Sequence, residues 1–229
     1  MVRILFSNFC SCLHLLHETL KCSITMPSPE IILLGGSPGS GKSSIGERFE
    51  SMGVPKGARH KSIGDLKRDI TSGKIKSIHA DRLNKIEHPD RRTGAAPSDA
   101  MADIMEEFIM MNPSGLTIVD GFPRYMDRVE PFKESMQRIG ANVLALVVVE
   151  VDDEKVLMER LMNREVRPEQ KIKDPTERLA DHRDNVVPTL SVLAADYPTY
   201  RLDGTLPIEK NAEELLVIYE RHSVKSNKF

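Results

Sequence analysis

Two short stretches of this chain carry residue types and spacing suited to phosphate chemistry. The first is Gly36-Ser37-Pro38-Gly39-Ser40-Gly41-Lys42-Ser43, the pattern G-x-x-x-x-G-K-[ST] between an apolar run and a helical stretch. Its glycines let the backbone curl until successive N–H groups face inward at phosphate oxygens. A helix starting there adds partial positive charge. Lys42 can reach β- and γ-phosphates, and Ser43 or Ser44 offers a hydroxyl to a metal ion's shell. The plainer alternative is a glycine-rich turn that only joins strand to helix. The second stretch, Asp120-Gly121-Phe122-Pro123-Arg124, puts a carboxylate at a strand tip, where it can hold Mg2+ through water. Arg124 follows after a turn and can grip an anion with two parallel hydrogen bonds. The lesser alternative, on these residues alone, is an Asp-Gly turn closed by Pro and Arg. GTPases, motor ATPases and small-molecule kinases all share the first motif, so the second must separate them.

Together the two motifs resemble the adenylate kinase family of nucleoside monophosphate kinases, over about residues 30 to 222. The family's G-G-x-G-S-G-K loop is matched by Gly36 to Lys42, with Ser37 replacing its second glycine. Its D-G-[FY]-P-R signature matches Asp120 to Arg124 without a gap. Its T-G-D-L-x-R motif matches Ile63-Gly64-Asp65-Leu66-Lys67-Arg68 except at the first residue, and Gly94 to Pro97 loosely echoes a proline-ended acceptor segment. A family helix ending R-L-x-x-R is similar to Arg160-Leu161-Met162-Asn163-Arg164. Arg167 then stands at the lid arginine, Arg178 opens the next helix, and Pro188 falls where the family has a proline.

The resemblance implies reversible transfer of the ATP γ-phosphoryl group to a nucleoside monophosphate, with AMP the leading acceptor and Mg2+ the metal. It assigns ATP to Gly36, Ser37, Pro38, Gly39, Ser40, Gly41, Lys42, Ser43 and Ser44, with Arg160 and Gly204 against the donor base. The monophosphate falls to Ile63, Gly64, Arg68, Gly121, Phe122, Arg124 and Arg128, with Arg167 and Arg178. Arg68 and Arg124 hold the acceptor phosphate, while Arg164, Arg167 and Arg178 close on the moving group. Lys42, Arg124, Arg164, Arg167 and Arg178 form the implied catalytic set. Ser43, and Asp120 through water, form the implied metal site. Arg160, Arg164 and Arg167 also have the spacing of one solvated helical face.

The chemistry suits such a set. Charge in phosphoryl transfer spreads over equatorial oxygens, so positioning and charge stabilisation do most of the catalysis. The nucleophile is an already ionised phosphate oxygen and needs no general base. No His or paired-carboxylate constellation stands near the motifs. His60, His79, His88, His182 and His222 lack metal spacing and read as surface or packing residues.

Three departures from the family pattern fall where substrate is chosen. Ile63 replaces Thr and deletes a hydroxyl. Arg128 replaces a Gln that pairs with adenine; a guanidinium only donates, so it favours a base bearing a carbonyl. The lid's Asp-Asp pair becomes Glu169-Gln170, and the short lid holds no zinc ligands. GMP, CMP or UMP is therefore the alternative acceptor. A catalytically weak nucleotide-binding scaffold is the alternative of another class.

The elements that must position these residues alternate strand and helix. Continuous apolar runs at residues 30–34, 116–120 and 143–149, and a short one at 200–203, read as strands of a parallel sheet. Helices are expected over 42–52, from a cap at Asp152 to about Arg164, over 175–195 with a bend at Pro188, and over 208–221 with Leu215, Leu216 and Tyr219 inward. The fold class is α/β: a P-loop parallel sheet of about five strands, helices on both faces. A helical monophosphate-binding insert is expected over about 62–112, without a strand in 64–112, and a short lid over about 164–176. Residues 1–29 read as a leader, disordered or targeting, 30–222 as the kinase domain, and 223–229 as a tail.

Composition agrees. The 229 residues carry 32 Lys plus Arg against 34 Asp plus Glu, a net charge of −2, which excludes a generally basic nucleic-acid binder. No apolar run spans a bilayer. All three cysteines precede Met26, itself a candidate start, so the body has neither a disulfide framework nor a cysteine-ligated zinc site. A monomer in the cytoplasm is the leading expectation, with a mitochondrial or other organellar address the alternative if the leader targets.

Overall fold

The computed structural model describes residues 28–83, 85, 96–163 and 174–226. Its strands are β1 (Glu30–Gly36), β2 (Arg59–Ser62), β3 (Leu116–Asp120), β4 (Asn142–Glu150) and β5 (Thr199–Asp203). They form one parallel sheet in the order β2-β3-β1-β4-β5. The helices are α1 (Lys42–Ser51), α2 (Ile63–Thr71), α3 (Ala80–Leu83), α4 (Ser98–Met110), α5 (Val129–Arg138), α6 (Glu154–Met162), α7 (Pro175–Asp181), α8 (Val187–Asp196) and α9 (Ile208–Ser226).

Side chains alternate across each strand, and here both faces are covered. Ile31, Leu33 and Val119 face one layer, with Ile104, Met105 and Phe108 of α4, Phe132 of α5 and Leu193 of α8. Ile32, Leu34 and Ile118 face the other, with Ile45 and Phe49 of α1 and Ala212, Leu215 and Ile218 of α9. Leu216 and Tyr219 are only half-buried. Much of the polar stretch before β3 thus belongs to the core, because α4 turns its apolar side onto the sheet.

The structure differs from the sequence reading in three local respects. Arg59-His60-Lys61-Ser62 is a strand although none of its residues is apolar. Each finds a partner elsewhere: Arg59 lies 4.5 Å above the Phe108 ring, Lys61 pairs with Asp69, His60 is buried beside Asp120, and Ser62 donates to Asp65. The cap of α6 is Asp153 rather than Asp152, its carboxylate accepting the Lys155 N–H at 2.9 Å. The long helix of 175–195 is broken by a π-turn over His182–Val186. Pro188 follows directly in the first turn of α8, where the helix continues from the π-turn.

Register brings the motifs to one edge. Asp120 pairs across the sheet with Leu34 and Ser62, and Gly36 pairs with Val149. The phosphate loop, the strand-tip aspartate and the start of α2 therefore meet at the strands' carboxyl ends, where open α/β sheets bind ligands.

Candidate active site

The loop after β1 holds the conformation its glycines were expected to permit. Gly39 and Gly41 have φ of +84° and +97°, the left-handed region. At Gly36 a methyl group would stand 2.2 Å from the Val149 carbonyl oxygen. Gly41 caps α1 with no side chain, so no side-chain cap occupies the first amides of that helix. Lys42 folds back over the loop, its Nζ donating to the Ser37 carbonyl at 2.8 Å.

Opposite the loop, Ser43 donates its hydroxyl to Asp120 at 2.6 Å, and His60 Nε2 stands 3.7 Å from the same carboxylate. Burial drives the Asp120 pKa upward, but the His60 ring, the Lys42 charge and the Ser43 hydroxyl outweigh it. The carboxyl ends below its ordinary value and stays ionised at neutral pH. A hydroxyl beside a carboxylate is a hard oxygen pair that fits Mg2+.

Lys42, Ser43 and Asp120 line a cleft of about 670 Å³, with His60 buried behind them. Of the anticipated ATP residues, the cleft takes Gly36, Pro38, Gly39, Ser40, Gly41, Lys42, Ser43 and Ser44, with Arg160 and Gly204; Ser37 contributes its carbonyl from behind. Ile63, Gly64, Arg68, Gly121, Phe122, Arg124 and Arg178 line it as well. Arg160 donates to the carbonyls of Gly204 at 2.9 Å and Gly39 at 3.4 Å, tying the phosphate loop to the turn after β5. Gly204 packs so closely that a methyl group there would stand 2.6 Å from the Ser40 carbonyl oxygen. Arg68 pairs with Asp65, which also takes the hydroxyl of the α2 cap, Ser62, at 2.6 Å. Arg164 and Arg167 lie outside the described residues.

Arg128 is elsewhere. It is 1% exposed, does not line the cleft, and donates to the Ala96 carbonyl at 3.0 Å with its guanidinium 5.2 Å from the Tyr125 ring centre. The short turn before α5 aims this side chain inward, away from the cleft as the described residues line it.

Two features had no signal in the local sequence. Asp181 gathers Arg124 at 3.0 Å, Tyr125 at 3.1 Å and Asn185 at 3.0 Å, fastening the end of α7 to the turn after β3. His182 lines the cleft instead of being a mere surface or packing residue. Burial first, then the charges of Lys42 and Arg124, push its pKa from 6.5 down to about 4, with Asp181 opposing. Below about 6.5 the unfolded chain takes up a proton that this ring refuses, so stability falls as pH drops from about 6.5 toward about 4. His182→Leu is expected to remove that part of the acid loss. Melting temperatures at about pH 5 and about pH 8 test it, the gap between them narrowing in the variant.

Residues 35–178 match the family described as AAA domain. Curated relatives match over a longer stretch. The adenylate kinase of Flavobacterium johnsoniae is 26% identical over 202 residues, 82% of this chain and 97% of that one. That of Porphyromonas gingivalis is 27% identical over 203 residues, 86% and 98% of the two chains. That of Prochlorococcus marinus is 28% identical over 185 residues, 80% and 91%. With its phosphate loop, strand-tip aspartate and arginines gathered in one cleft, the chain belongs to the AAA-domain family of P-loop proteins and is similar along most of its length to adenylate kinases.

Proposed function

We propose that the protein transfers the γ-phosphoryl group of ATP reversibly to a nucleoside monophosphate, AMP foremost, to give two molecules of ADP. The observation that carries this reading is the convergence of Arg68, Arg124 and Arg178, from three different elements, on the cleft that the phosphate loop opens into. Hydrolysis of ATP alone is served by a guanidinium or two at the γ-phosphate, whereas Arg68 and Arg124 enter from the acceptor side of the cleft, on elements separate from the phosphate loop. A site that holds a second phosphate has a use for them.

The chain's own residues divide the work. Backbone amides of the loop and of the first turn of α1 cradle the donor's phosphates, and Lys42 neutralises their charge. Arg68 and Arg124 hold and orient the acceptor phosphate, and Arg178 stabilises the moving group with Arg164 and Arg167. Ser43, and Asp120 through water, would hold Mg2+, which supplies charge neutralisation at the transferring phosphate. Asp120 is suited to that because its surroundings keep it ionised. The acceptor oxygen arrives ionised, so no side chain has to remove a proton.

The division into a kinase domain over 30–222 with an acceptor insert over 62–112, a monomeric state and a cytoplasmic site of action complete the proposal. No helix among the described residues is long and apolar enough to cross a membrane.

One observation favours a second acceptor: Ile63 lines the cleft without the hydroxyl of the family's threonine. The test is transfer from Mg-ATP to AMP, GMP, CMP, UMP and dAMP. AMP is expected to give the highest kcat/KM. Another acceptor in first place gives the choice of base to Ile63 and its neighbours, and ATP binding without transfer to any of them overturns the reading.

A further inference from the structure

We propose that His182 is a phosphate-binding residue of this cleft, its Nε2 presenting a hydrogen bond to an oxygen of the nucleotide's phosphate chain. This rests on the cleft being a nucleotide site, not on which monophosphate it accepts.

The position is built from long-range contacts. Asp181, the preceding residue, is held by Arg124, Tyr125 and Asn185, which fixes the backbone from which His182 projects. The π-turn begins at His182, and such widened turns recur at functional sites because the extra residue re-aims the side chains around it. The ring joins Lys42, Arg124 and Arg178 in lining the cleft. Its Nε2 is buried and has no hydrogen-bond partner among the described residues, so a turn of the ring is what brings it to a phosphate oxygen in the cleft. A buried polar atom left unmatched is costly, and a ligand that satisfies it repays the cost on binding.

Charge decides what that ligand is. Lys42 and Arg124 face the ring and Asp181 is the acid beside it. Burial and the two cations keep the imidazole neutral, with a pKa of about 4. A neutral imidazole carries one N–H and one lone pair, and phosphate oxygens only accept, so a phosphate selects the tautomer with the proton on Nε2. The ring thus adds a donor between two cations without adding a third charge.

The variants are His182→Leu, which keeps the bulk and loses the donor, and His182→Gln, whose side-chain amide places an N–H near the Nε2 position. Mg-ATP affinity is measured by titration calorimetry, kcat/KM by transfer to AMP, and folding by thermal melting. The leucine variant is expected to lose roughly 10- to 100-fold in ATP affinity or in kcat/KM, the worth of a hydrogen bond to a charged group. Its melting temperature should stay at or above that of the parent, since an orphaned polar atom has gone. The glutamine variant should recover to within about threefold of the parent, because the donor is restored. Unchanged binding and turnover in the leucine variant overturn the inference. So does a leucine variant that melts lower and whose loss glutamine does not repair, which is a packing role. If the parent binds Mg-ATP and transfers to no acceptor, the proposed function fails while the binding comparison still decides His182.

Discussion

Arg124→Ala is expected to lower kcat/KM for phosphoryl transfer by about 10³-fold, the loss typical of removing a donor aimed at developing charge. Arg124 follows the strand-tip turn after β3, and Asp181 holds it in place. Its Nη2 donates to Asp181, whose carboxylate Tyr125 and Asn185 hold from other directions. The guanidinium is therefore preorganised, which is what makes such a donor effective: little reorganisation is left for the moment of reaction. Removing it takes one partner from the buried Asp181 carboxylate, which Tyr125 and Asn185 still hold, so the cost in stability should stay at about 1–3 kcal/mol, below the loss in activity. Activity and melting temperature should accordingly separate. Arg124→Lys should recover little, because an ammonium cannot hold Asp181 and a phosphate oxygen in the same planar geometry. Steady-state kinetics with AMP beside a thermal melt make the measurement, and an alanine variant with full turnover would falsify the assignment of Arg124 to the acceptor phosphate.

The legible part of this molecule was the part written in local pattern. Apolar runs of a length only a buried strand uses placed β1, β3 and β4, and the glycine spacing after β1 fixed both the turn and the start of α1. Sheet register then does what parallel packing requires, and sets Asp120 beside the loop, as the paired motifs imply. β2 escaped because its four residues are polar, and their partners, Phe108, Asp69 and Asp120, are dispersed along the chain. The knot at Asp181 escaped for the same reason, since it joins residues 57 positions apart. His182 has no partner at metal spacing, so nothing in the sequence distinguished it from a surface histidine. Only the π-turn and the cations across the cleft give it a direction.

Arg128 is the opposite case, a residue whose type suggests a site and which, among the described residues, is buried against Ala96 and Tyr125. A charged side chain is rarely buried this fully unless something requires it. Here its Nη2 satisfies the Ala96 carbonyl at the entry to α4, while the guanidinium lies against Tyr125. The charge is felt nearby: Lys67 has its pKa lowered by burial first and by Arg128 second. Arg128→Met keeps much of the volume and removes the donor, leaving a buried carbonyl unmatched. The expected cost is about 2–3 kcal/mol of folding stability, a fall in melting temperature of roughly 4–12 °C for a domain of this size. Because the side chain does not line the cleft, the order of preference among AMP, GMP, CMP and UMP should not change. Arg128→Gln, which restores the residue of the family resemblance, should behave in the same way. An acceptor order that moves toward AMP in the glutamine variant, with stability intact, would return Arg128 to the role of reading the base and require its side chain to leave Ala96 when the acceptor binds.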